Sequence, residues 1–184
     1  MASFLYYSIF ILYATSLYSI DGVLIKQFVR SGGKTENLTH LHFFFHDILG
    51  GKNPTSVRII EPPNGIAGGF GSTMMIDNAL TEEQDRASKL IGRAQGFYSV
   101  ASQQADEFAF LMVMNCVFVE GKYKGSSISI LGRNPVMNNV REMPVVGGTG
   151  QLRFARGYAL AHTVWFDAAT GDAIVEYNVY VSDS

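Results

Sequence analysis

The chain is poor in several things, and each shortage excludes something. One cysteine, Cys116, occurs among 184 residues, so no disulfide can form within the chain and no cysteine-rich zinc site can be assembled. Charged residues make up 16%, against ~25% in ordinary globular domains. Basic residues are not in excess: 14 Lys and Arg face 16 Asp and Glu, a net charge of −2. That balance excludes a nucleic-acid binder, which needs a basic face to neutralise phosphates. Prolines number 5, and 19 glycines are scattered among abundant aromatic and β-branched residues, so the chain is not disordered. What is plentiful is apolar: 47% of residues. A chain of this length suits one domain, able to bury about 70% of the surface its unfolded form exposes.

The first stretch stands apart. Ser3 to Ile20 carries no charge, mixes Phe4, Ile9, Phe10, Ile11 and Leu12 with serines and tyrosines, and ends at Asp21-Gly22. A secretory signal peptide over residues 1–22 fits its position, length and small polar residues, although Lys and Arg are absent before Lys26. A membrane anchor and a buried helix of the fold are the competing readings. An anchor needs about 20 apolar residues, and this run is short and rather polar for that. Asn37-Leu38-Thr39 is an N-glycosylation sequon and supports secretion. Residues 23–37, with polar Ser31 to Glu36, read as a linker. The folded domain is expected over 38–184.

From Leu38 onward the apolar period is two, the signature of strands. His40 to His46 places Leu41, Phe43 and Phe45 on one face. Further strands are expected at Val57–Ile60, Ser72–Ile76, Phe97–Val100, Phe108–Phe118, Ser126–Leu131, Phe154–Trp165 and Ala173–Val181. Phe108 to Phe118 is apolar on both faces, which predicts burial on both. Thr81 to Leu90 lacks alternation and reads as a helical turn or a loop. Glu61-Pro62-Pro63-Asn64-Gly65 and Thr170-Gly171-Asp172 are turn signals. Many short strands with short turns predict an all-β, antiparallel fold, best closed into a barrel that leaves no edges. Strands apolar on both faces need a dry lumen and a subunit contact, so an oligomer is expected.

Most motifs have a plain structural reading. Gly147-Gly148-Thr149-Gly150 lacks the following helix and lysine of a phosphate loop, and reads as a tight turn with a glycine at positive φ. His40, His42 and His46 share a strand face without making a metal site. Cys116 sits in an apolar run and reads as a buried, inert thiol. Asp47 is more informative. It follows Phe43-Phe44-Phe45-His46 and precedes Ile48-Leu49. A carboxyl in apolar surroundings has a raised pKa and is a candidate proton donor. The competing reading is a strand-end Asp that caps the turn Gly50-Gly51-Lys52-Asn53.

Four ordered segments carry a resemblance: His46-Asp47-Ile48-Leu49, Gly92-Arg93-Ala94-Gln95-Gly96-Phe97-Tyr98, Val145-Val146-Gly147-Gly148-Thr149-Gly150, and Phe154-Ala155-Arg156-Gly157. In order and spacing they resemble plant dirigent proteins, over about residues 38 to 181. The resemblance implies a secreted, glycosylated, eight-stranded antiparallel β-barrel with an apolar lumen, associating as a homodimer or homotrimer in the apoplast. It implies binding of a small phenolic substrate or radical. Known members steer the coupling of coniferyl alcohol radicals, made by a separate oxidase such as a laccase or peroxidase, toward one enantiomer of a lignan. A legume branch, the pterocarpan synthases, dehydrates a 2′-hydroxyisoflavanol. Both chemistries pass through a quinone methide, and neither implies a cofactor or a metal. No membrane contact is expected once the leader is removed.

By the same resemblance Asp47 is the general acid, Arg141 a pocket arginine and Tyr98 the first aromatic of the pocket strand. Phe45 and Phe97 are expected beside them as substrate contacts. The chain departs from lignan-forming members where Asn134, in Gly132-Arg133-Asn134-Pro135, replaces a second pocket aspartate. Their Tyr-x-Tyr is here Tyr98-Ser99-Val100, and their disulfide has no counterpart. These departures place the chain nearer the dirigent-like branch that contains the pterocarpan synthases.

Overall fold

The computed structural model describes residues 25–31, 34–63, 65–66, 68–104 and 106–182, and side chains from Leu38 onward. The leader, 1–22, lies outside the described residues.

Ten strands follow one another: β1 (Ile25–Ser31), β2 (Lys34–Asp47), β3 (Ser56–Ile60), β4 (Thr73–Thr81), β5 (Leu90–Val100), β6 (Phe110–Phe118), β7 (Ser127–Asn134), β8 (Arg141–Thr149), β9 (Arg156–Phe166) and β10 (Ala173–Ser182). They pair in the order β1-β2-β10-β9-β8-β7-β6-β5-β4-β3, and β2 also pairs with β4. That last pairing closes an eight-stranded antiparallel barrel from β2 and β4 to β10. The closing seam is short: Phe44 faces Thr81, Phe45 faces Leu80 and His46 faces Ala79. On either side of it β1 covers the free edge of β2 and β3 covers that of β4, so neither barrel edge is left as a template for stray pairing.

The period of two explains which residues enter the lumen. In β2, Leu41, Phe43 and Phe45 are buried, and in β10 so are Val175, Tyr177, Val179 and Val181. Phe43 faces Tyr177 across the strands and their rings stack with centroids 5.5 Å apart. Burying a side chain of that size contributes about 1.5–3 kcal/mol. Leu80, Met114, Ile128, Ile130 and Met143 are also fully buried. The lumen is therefore lined mainly by apolar side chains, with few polar intrusions.

Two expectations are corrected, and one pair of alternatives is decided. Residues 23–37 were expected as a linker, but Ile25–Ser31 pairs with Lys34–His40 as a hairpin, so the backbone is strand on both sides of residues 32–33. Of the two readings of Thr81 to Leu90 the loop holds: Glu82 to Lys89 joins β4 to β5, and Thr81 Oγ1 donates to the Glu83 carbonyl at 2.7 Å instead of capping an N–H. The β6 run is not buried on both faces: Met112, Met114 and Cys116 point inward, while Leu111 is exposed and Val113 and Val117 are half-buried.

The glycine run is a turn only at its end: Gly147, Gly148 and Thr149 lie in β8, paired with Ser129, Ile128 and Ser127. Gly150 has φ 60° and opens a short 3-10 turn, Gly150–Leu152. Cys116 is fully buried, and burial pushes its thiol up to about 12. A thiol reagent is expected to leave Cys116 unlabelled in the native protein and to label it once denaturant unfolds the chain, as mass spectrometry would show.

Candidate active site

Asp47 is the last residue of β2, where β4 exchanges one partner strand for another. Phe44 to His46 pair with β4, the chain then loops out, and β3 returns beside β4 from Ser56. The loop is closed by the Ile48 carbonyl, which accepts from Thr55 N at 2.9 Å and Ser56 N at 3.0 Å. This brings Ser56 onto Asp47. The Ser56 hydroxyl donates to Asp47 Oδ1. Asn78 Nδ2 donates to the same oxygen at 3.2 Å, and the Tyr98 hydroxyl donates to Oδ2 at 3.0 Å. Burial raises the carboxyl above the usual range. The three hydrogen bonds oppose that rise, and the charge of Asp172 adds to it.

Asp47 does not cap the following turn. The N–H groups of Leu49 and Gly50 both donate to Asp172 Oδ1, each at 2.9 Å. Asp172 in turn is held by Arg86 at 3.4 Å. Burial alone would raise the Asp172 carboxyl, but these donors outweigh it and hold it low. The turn thus has its own carboxylate, and the capping reading of Asp47 falls away.

Tyr98 is buried, and its hydroxyl is held well above the usual phenol range by burial and by the neighbouring Asp47 charge. Its ring stacks on Phe110 with centroids 4.8 Å apart, and Phe110 meets the edge of Phe108 at 5.1 Å. Phe108 lines a cleft of about 860 Å³ with Pro63, Ile66, Phe70, Val100 and Met137. Aromatic surface therefore runs without a break from a loop-lined mouth to the acid.

Arg141 and Asn134 form a second polar group. Both are only 3% exposed, and Arg141 Nε donates to Asn134 Oδ1 at 3.1 Å. Arg141 Nη1 is buried with no hydrogen-bond partner, and among the described residues no carboxylate pairs with this guanidinium. Burial pulls its pKa down. Tyr177, fully buried on β10, lies within electrostatic reach of both Asp47 and Arg141.

Phe45 sits in the lumen as expected, its ring centroid 5.9 Å from that of Tyr177. Phe97 does not. Strand alternation sends it to the face opposite Tyr98, where it is half-buried beside Met75 and Val113 on the outer wall. The histidines on the outer face of β2 are bonded separately: His40 to Asn178 at 2.8 Å, His42 to Glu176 at 2.8 Å and His46 through Nε2 to Thr81 at 2.7 Å, while His46 Nδ1 is buried without a partner. Asn37 lies in β2 opposite Phe28 of β1. Ser56, Asn78 and Tyr177 escaped the sequence reading. Asn78 left a signal, since it interrupts the inward series Met74, Ile76, Leu80.

These features define a closed antiparallel barrel whose largely apolar interior holds a desolvated acid, Asp47, and a buried Arg141–Asn134 pair. The chain belongs to the dirigent family: the family described as "Dirigent-like protein" matches residues 38–182. Dirigent protein 21 of Arabidopsis thaliana is 50% identical over 152 residues, covering 82% of this chain and 79% of that protein. Pterocarpan synthase 1 of Glycine max is 50% identical over 155 residues, 82% of each chain. The solved pterocarpan synthase dirigent protein PsPTS1 superposes with a TM-score of 0.75 at 46% identity, covering 79% of this chain and 95% of that one. A pyocyanin demethylase shares the fold alone, at 14% identity and a TM-score of 0.53.

Proposed function

We propose that this chain holds a flat phenolic in its lumen and directs a reaction that passes through a quinone methide, with Asp47 as its single proton donor. The observation that carries this reading is the raised, three-donor carboxyl of Asp47, joined through Tyr98, Phe110 and Phe108 to a cleft that apolar and polar loop residues line together. The place where lignan-forming members carry a second acid holds Asn134, committed to Arg141. A neutral amide cannot deliver a proton.

One acid suits the dehydration of an alcohol. Asp47 gives its proton to the benzylic hydroxyl, the C–O bond breaks, and its electron pair leaves with water. The phenol on the ring releases its proton to water and becomes the quinone methide carbonyl. An internal hydroxyl then adds to the benzylic carbon and returns its proton to Asp47, while water reprotonates the carbonyl. The sum is loss of one water. The relatives named pterocarpan synthases support this reading. Those named dirigent proteins support the second, steered coupling of monolignol radicals made by a laccase or peroxidase in trans. Two parallel reactions analysed by chiral chromatography decide between them. Pterocarpan from a 2′-hydroxyisoflavanol without oxidant supports the lyase. Enantiomeric excess from coniferyl alcohol with laccase supports the directing role. Racemic or absent product in both rejects the reading.

Arg141 is proposed to meet the phenolate-like oxygen of the ligand. Its unpartnered Nη1 should then weaken the empty protein, since a buried donor without a partner costs about 1–3 kcal/mol. Arg141→Met removes this donor but leaves the buried Asn134 Oδ1 without its own, so the denaturation midpoint of the empty protein is expected to change little while ligand binding is abolished, as paired unfolding and binding titrations would show.

The barrel is proposed to act as a secreted apoplastic homodimer or homotrimer, glycosylated at Asn37. Met75, Phe97, Val113 and Leu131 face one another in register across four adjacent strands of the outer wall, an apolar row suited to a subunit contact. Val113→Glu is expected to turn the oligomer into a monomer by light scattering. Mass spectrometry of the secreted protein reads the glycan and the mature N-terminus.

A further inference from the structure

Two buried side chains with donors to spare stand in one row of the lumen. Tyr177 on β10 pairs with Ala161 on β9, and Ala161 pairs with Arg141 on β8. Paired residues of adjacent strands share a face, and all three are buried. Ala161 sets no more than a methyl group between the two long side chains. Asn134 takes Nε of Arg141 and leaves Nη1 without a partner. The Tyr177 hydroxyl makes no hydrogen bond to any described residue. Its ring is stacked on Phe43 with centroids 5.5 Å apart, which fixes the direction in which the hydroxyl points.

A buried tyrosine hydroxyl ordinarily finds a partner, because desolvation without one is costly. Arg141 Nη1 could donate to the Tyr177 oxygen, yet no such bond forms. What both groups lack is a third atom, an acceptor. We infer that Tyr177 and Arg141 together form a two-donor site for one ligand oxygen, the phenol oxygen that becomes the quinone methide carbonyl, and that Tyr177 is a further catalytic residue of the barrel. This inference rests on the proposed quinone methide chemistry and leaves its proton balance unchanged. The ligand oxygen gives its proton to water as described above, while Tyr177 and Arg141 keep theirs. Donors aimed where charge develops favour the transition state over the ground state. The site also narrows the substrate class to a ring whose conjugated phenol is free, since an O-alkylated ring offers no such oxygen.

Burial holds the Tyr177 phenol above its ordinary range. Cys116 on β6 and Asp47 on β2 add to that rise, and Arg141 opposes it. The hydroxyl therefore keeps its proton and acts as a hydrogen-bond donor, not as an acid. Those three groups remain in place when the Tyr177 oxygen is removed.

The test uses the full chain with 4-nitrophenol, whose bound phenolate is titrated by its absorbance, and 4-nitroanisole, its counterpart that cannot ionise. Tyr177→Phe removes one oxygen and keeps the ring on Phe43. The wild type should prefer the phenolate and lower the titration midpoint of the bound probe below its value in buffer. Tyr177→Phe should raise that midpoint by roughly one pH unit, since a donor to the charged form is lost, and weaken phenolate binding about tenfold. Its affinity for 4-nitroanisole and its thermal melt should match the wild type. Product formation from a substrate that the wild type accepts should fall by roughly 100-fold, the usual worth of one such donor. A midpoint and a phenolate affinity unmoved by Tyr177→Phe overturn the inference. An equal loss of 4-nitroanisole affinity overturns it too, because Tyr177 then only packs, and so does a wild type that binds both probes without favouring the phenolate. A wild type that binds neither probe overturns the functional reading itself, and this inference with it.

Discussion

Asp47→Asn is expected to lower product formation by roughly 100-fold or more, the usual worth of a positioned general acid, without unfolding the barrel. The amide is nearly isosteric with the acid. Its oxygen can take the place of Oδ1 and keep the bonds from Ser56 and Asn78, and its nitrogen can donate to the Tyr98 oxygen. What it cannot do is release a proton. The pH dependence separates this from a packing defect. Burial holds the Asp47 carboxyl above the ordinary carboxylate range, so the acid form persists to higher pH than in an exposed Asp. Activity should fall as pH rises through that value, and Asp47→Asn should lose this limb altogether. The stability signs run the same way. A carboxyl whose folded pKa is raised favours folding most below its unfolded pKa, and loses that contribution as pH rises through the folded value. At alkaline pH the Asn variant should therefore resist denaturant at least as well as the wild type. Circular dichroism against denaturant and a pH–rate profile measure the two effects on the same protein. Loss of folded signal in the variant, or an unchanged rate, contradicts the assignment.

The barrel was legible because alternation is a local property. Leu41, Phe43 and Phe45 in β2 and Val175, Tyr177, Val179 and Val181 in β10 announce the inward face of each strand. Asp47 was legible for a related reason, a lone carboxyl after three phenylalanines. Its supports were not, because they meet it only when the ring closes. Asn78 is 31 residues away and Tyr98 is 51. The carboxylate that caps the loop, Asp172, comes from 122 and 123 residues away. A reader of the chain who asks which residue caps Gly50 finds Asp47 close by and has no local reason to prefer Asp172. Phe97 shows the opposite failure. It adjoins Tyr98 in a recognisable segment, but neighbours in a strand point to opposite faces. The β1–β2 hairpin was hidden by composition, since Ser31 to Glu36 is polar and gives no alternation to follow.

Two glycines in the recognisable segments, Gly147 and Gly157, should respond in opposite ways to an added methyl. Gly157 is the second residue of β9, paired with Val181 on one side and Val145 on the other. A Cβ there would lie 1.8 Å from the Tyr180 carbonyl oxygen, 2.9 Å from its carbon and 3.0 Å from the Val181 Cα. All three are backbone atoms of β10, so no side-chain rotation relieves the clash. Relief requires β9 to part from β10, and β10 is the strand that also ladders with β2 to carry the closing seam. Overpacking with backbone displacement costs ~3 kcal/mol, a large share of the 5–15 kcal/mol that holds a typical domain. For a chain of this size that corresponds to a fall of about 10 °C in Tm. At Gly147 the nearest atom to an added Cβ is Arg156 Nη1 at 3.6 Å, the movable end of a long side chain. Gly147→Ala should therefore stay within about 0.5 kcal/mol of wild type. Thermal melts of the two variants side by side decide the matter. Equal stabilities would mean that the close approach of β9 to β10 at Gly157 is not what requires a glycine there.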